Sequence, residues 1–118
     1  MLKPALVILT LMGDGGTRIT LSAADSPEEC EARREVLTQV LTHAGQAPLL
    51  AICGETALRL SPFVHGVPEQ AEVNRYRLTM QGGGFIVEPL GDAPCLDARD
   101  AEPAIWCARS AQIVLPDE

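Results

Sequence analysis

The chain has 118 residues, 47% hydrophobic and 21% charged, with a formal net charge of -7. That is the size and balance of one ordinary globular domain spanning 1–118, so neither a disordered chain nor a membrane protein is expected. Seven acids from Glu88 onward face only Arg99 and Arg109, and without a Lys/Arg cluster nucleic acid is excluded as a partner.

Met1 to Met12 starts like a secretory signal, but Gly13-Asp14-Gly15-Gly16-Thr17-Arg18 is polar where a cleavage region should lie. The apolar run Ala5 to Met12 is too short to cross a bilayer and is expected to be a strand covered on both faces. Gly13 to Gly16 is turn chemistry, and Arg18, Thr20 and Ser22 alternate with Ile19 and Leu21. These segments predict a hairpin whose second strand has one wet face.

Ser26-Pro27-Glu28-Glu29 combines an N-cap, a proline at the first helical position and a capping-box glutamate. A helix over about 27 to 44 follows, with Cys30, Leu37, Val40, Leu41 and Ala44 as its buried stripe and Gly45 as its C-cap. Pro48 to Cys53 predicts a third strand, and Thr56 to Leu60 offers a fourth. Ser61 to Ala71 reads as the main loop.

Val73 to Met80 alternates, with Tyr76 and Leu78 on one face and Arg75 and Arg77 on the other. Gln81-Gly82-Gly83-Gly84 turns this strand into Phe85 to Pro89 as a hairpin. Leu90 to Pro103 is rich in Pro, Gly and Asp and predicts a long irregular connection, after which Ile105-Trp106 and Gln112 to Leu115 each suit a short strand. The expected fold class is α+β: a largely antiparallel sheet with one main helix packed on one face, a ββαβ core followed by a β-hairpin.

The four cysteines, Cys30, Cys53, Cys95 and Cys107, suggest two bridges. A helix rising about 1.5 Å per residue carries the chain roughly 22 Å from Cys30 to Gly45, and an extended return at about 3.3 Å per residue brings Cys53 back beside Cys30. Cys95 then pairs with Cys107 by elimination. The competing readings are four reduced cysteines serving as small core hydrophobes and, less favoured for want of a C-x2-C or H-x3-H knuckle, a zinc site.

Other chemistries have weaker signals. Cys53 with His65 or His43 could form a thiol and base in a cytosolic redox protein or enzyme. Ser61, His65 and Glu69 lack a nucleophile elbow. The glycine clusters lack a following helix and a lysine, so neither reads as a phosphate loop. Asp92, Asp97, Asp100 and Glu102 do not follow calcium-loop spacing.

Arg75 and Arg77, joined by Arg59 from a neighbouring strand, make a candidate patch for an anion or an acidic partner. No cofactor or metal is expected. The eight Arg against one Lys and the high alanine content suggest a GC-rich bacterial genome. The functional expectation is a non-catalytic, exported (periplasmic) binding or interaction module for a protein or a small acidic ligand.

Overall fold

The computed structural model describes residues 2–64 and 66–116. Six strands and one helix follow in the order β1 (Lys3–Leu11), β2 (Thr17–Ala23), α1 (Pro27–His43), β3 (Leu50–Thr56), β4 (Asn74–Gln81), β5 (Gly84–Pro89) and β6 (Ile105–Ser110), with a 3-10 turn at Glu69–Ala71. The sheet order is β3-β1-β2-β6-β4-β5, and every neighbouring pair is antiparallel except β2 with β6. The fold is thus α+β, with a ββαβ start and a hairpin after it.

Strand β1 is interior to the sheet, paired with β2 on one edge and β3 on the other. Its odd residues Ala5, Val7 and Leu9 enter a core with Ile19, Tyr76 and Leu78, while Leu6 and Ile8 face a second core with Cys30 of α1. A strand buried on both faces must be apolar throughout, which explains the uninterrupted run.

The sheet curls until its end strands meet. A Cβ built on Gly54 of β3 would lie 3.4 Å from Gly84 Cα and 2.7 Å from Phe85 Cε2 of β5. Phe85 turns inward into the core beside Val87, and its ring fills the space that any side chain at position 54 would need. Gly54, just past the expected end of the third strand at Cys53, therefore lies within β3, where glycine lets two backbones approach.

α1 begins as its sequence requires: Ser26 Oγ accepts from Glu29 N at 3.1 Å, Pro27 opens the helix, and Gly45 takes a φ of 79° just past its end. The stripe is narrower than its spacing suggests. Cys30 is buried and Leu37 and Leu41 pack beside it, but Val40 is 56% exposed and Ala44 lies beyond the helix, exposed. The cause is position: α1 packs mainly on β1 and β3 and leans on the sheet by one edge.

Two further elements differ from expectation. The 56–60 segment forms no fourth strand; only Leu60 makes a bridge, to Val114. The terminal strand runs the full length of β6, because it pairs along β4 from Asn74↔Ser110 to Thr79↔Ile105.

Both disulfides join the expected partners, Cys30 to Cys53 and Cys95 to Cys107. The first ties α1 to β3 and the second closes the irregular segment onto β6. Cys53→Ser should lower stability by about 2 to 4 kcal/mol, read as a fall in Tm, whereas an unchanged melting curve would deny the bond its structural role. Gly54→Ala should cost about 1 to 3 kcal/mol by overpacking the seam against Phe85, measured by urea denaturation.

Candidate binding groove

The outer face of the sheet beside α1 is not closed. Ile8 and Thr10 of β1 and Arg18, Thr20 and Ser22 of β2 form a floor, with Leu37 and Leu41 of α1 along one side. The opposite side is the 60–67 segment, represented by Leu60, Phe63, Val64 and Val67. The volume of the groove is about 700 Å³, within the range of roughly 300 to 1,000 Å³ typical of small-molecule sites.

One side chain explains why the 60–67 segment stands where it does. β6 pairs with β2 only at Arg18↔Arg109, so the rest of that edge of β2 needs other partners. Gln112, 2% exposed, supplies them: its Oε1 accepts from Leu21 N and its Nε2 donates to Leu21 O, both at 3.0 Å. The same Nε2 donates to Ser61 O at 2.6 Å, and Ser61 Oγ accepts from Ile113 N at 2.9 Å. A primary amide thus takes the place of a strand residue and anchors the wall to the floor.

The groove is closed at one end by an ion pair. Arg18 Nε and Nη2 donate to the two carboxylate oxygens of Glu72 at 2.6 and 2.8 Å, with Glu72 only 3% exposed. That hydrogen bonding raises the Arg18 pKa, so its charge is permanent. At the other end Arg33 Nη1 donates to Ala23 O and Nη2 to Glu29, at 2.8 and 2.6 Å. Among the described residues the hydroxyls of Thr10, Thr20 and Ser22 and the Nη1 of Arg18 have no protein partner.

The arginine patch is distributed differently. Arg75 Nη1 donates to Gly91 O and Ala93 O, and Arg77 Nη2 donates to Pro94 O, so both guanidinium groups hold the segment ahead of Cys95. Arg59 lies outside any strand and donates to Pro116 O. It borders a cleft of about 600 Å³ beside Phe85 and Val87, while Arg75 borders another of about 490 Å³ beside Asp14 and Arg109. The fold does not gather the three into one depression.

Asp14 in that second cleft accepts from Gly16 N and pairs with Arg109, and these contacts hold its carboxyl below the usual range. Asp97 accepts from Cys107 N at 2.8 Å and serves the loop. Among the described residues no three His, Cys, Asp or Glu side chains converge as a metal site would require. His43 ends α1, His65 lies outside the described residues, and the Cys53 sulfur that a thiol nucleophile would need is bonded to Cys30.

The groove residues were overlooked in the sequence, although two signals pointed to them. Thr10 is the one polar residue in Ala5 to Met12, and Arg18, Thr20 and Ser22 share the face read as wet. No protein-family model, curated protein or solved structure matches this chain. Glu72→Gln should destabilise the fold by on the order of 2 kcal/mol, because a half-buried Arg18 loses its counter-charge; chemical denaturation measures this.

Proposed function

We propose that this chain is a disulfide-stabilised, non-catalytic binding module that works outside the reducing cytosol, in the periplasm of a bacterium, and receives its ligand in the groove between α1 and the 60–67 segment. The observation that carries this reading is the groove itself: an apolar-walled space of about 700 Å³ with a few unpartnered polar groups on its floor. That composition is what a small-molecule site needs, apolar surface for affinity and sparse donors for orientation. The two bridges support the choice of compartment, because disulfides persist where thiols are not kept reduced.

Neither rival reading has comparable support. A thiol-dependent enzyme needs a free Cys53, and an anion site at Arg59, Arg75 and Arg77 needs guanidinium groups that converge, whereas Arg59 and Arg75 border separate clefts. The chain also has no helix among its described residues that is long and apolar enough to cross a membrane.

Nile red, a neutral apolar fluorophore, is expected to bind the oxidised protein saturably with a blue-shifted emission. Val64 lines the groove and is 62% exposed, so Val64→Asp should leave the far-UV circular dichroism unchanged. The same variant should weaken the dye by at least about fivefold. No saturable binding, or equal binding by the variant, would remove the groove from consideration.

A further inference from the structure

We propose that the groove takes an unbranched monocarboxylate amphiphile, with the carboxylate at Arg18, Thr10 and Thr20 and the hydrocarbon chain between α1 and the 60–67 segment. This rests on the groove reading above and adds the chemical class of the ligand.

The head-group site is built from three donors on one face. Thr10 and Arg18 are direct cross-strand partners, and Thr20 follows Arg18 by two residues along β2. Cross-strand neighbours stand about 5 Å apart and diagonal ones about 7 to 8 Å apart, so the three side chains can close around one small anion. Thr10 is 8% exposed, yet among the described residues its hydroxyl has no protein partner and it lines the groove. Its hydroxyl opens into the groove and is therefore available to donate to a ligand there.

Donor chemistry selects the head group. Arg18 can only donate, and after the bidentate contact with Glu72 it retains Nη1 for a further acceptor. Both Glu72 oxygens are taken up by Arg18, so the pair is neutral as a whole and presents to the groove the remaining N–H donors of Arg18 and no free carboxylate oxygen for a cationic head. An alcohol would satisfy the two threonines and gain little from the guanidinium. A carboxylate accepts from all three groups and makes a charge-assisted bond with Arg18.

The remainder of the groove suits a hydrocarbon chain. Leu37 and Leu41 sit one helical turn apart and make a continuous apolar strip above Ile8, faced by Leu60, Val64 and Val67. From Arg18 to Ser22 the floor runs about 13 Å along β2, enough length for an extended chain of about ten carbons.

Displacement of Nile red from the oxidised protein by decanoate and by decanol tests the proposal. Decanoate is expected to displace the dye at a concentration at least about tenfold below that of decanol. The Arg18→Gln/Glu72→Gln double variant, which removes the guanidinium together with its counter-charge and leaves a neutral pair able to hydrogen-bond, should bring decanoate to within about twofold of decanol. Far-UV circular dichroism and Tm serve as the folding control.

Decanol equal to decanoate on the native chain, or discrimination surviving in the folded double variant, overturns the head-group assignment and leaves the groove reading standing. Dye binding with displacement by neither amphiphile overturns the ligand class. Absence of dye binding overturns the groove reading itself.

Discussion

The Cys30–Cys53 bond holds to the sheet a helix that buries little of its own surface. Only Cys30 of the seventeen helical residues is fully buried, and Val36 and Val40 face solvent. A helix with so narrow an apolar stripe gains little from packing, and tertiary packing is the usual source of helical stability. The covalent tie supplies what the stripe lacks, and it acts near the N-terminal end of α1, the end already fixed by the Ser26 cap. Leu37 and Leu41 pack against the edge of the second core and remain partly open, so that they also line the groove.

The second constraint is the inner core, and it sets the floor. Because β1 and β2 point Val7, Leu9, Ile19 and Leu21 inward, strand alternation turns Ile8, Thr10, Thr20 and Ser22 outward into the groove. Closure of the sheet at Gly54 and Phe85 fixes the curvature of that floor. The far wall depends on Gln112, whose amide completes the hydrogen bonding of Leu21 and holds Ser61. Core, seam and amide are separate devices, and each leaves the outer face of β1 and β2 with a partially covered surface.

Much of the fold was legible in particular residues. Ser26-Pro27 with Glu29 located the helix start, Gly82-Gly83 placed the hairpin turn, and the length of α1 against the returning strand brought Cys53 to Cys30. These succeed because capping, tight turns and residue rise are local properties. The candidate site was far less legible. Arg75 and Arg77 stood out by alternation, but their guanidinium groups found carbonyls at 91–94, a loop whose path no local rule dictates. Arg59 was assigned to a neighbouring strand that does not form, since the chain leaves the sheet after Thr56.

By itself the sequence determined the fold class, the helix and most strand positions, the hairpins and the cysteine pairing, all of which rest on periodicity, turn chemistry and chain length. Only the tertiary structure decided the curling of the sheet, the role of Gly54 as the place where its edges touch, and the groove. The groove joins β1, β2, α1, the 60–67 segment and Glu72, which are scattered through the first two thirds of the chain. Its polar members come together through strand register, and its wall through the amide of Gln112, 51 residues beyond Ser61. Contacts of that range arise from how the packed elements meet, and no single segment encodes them.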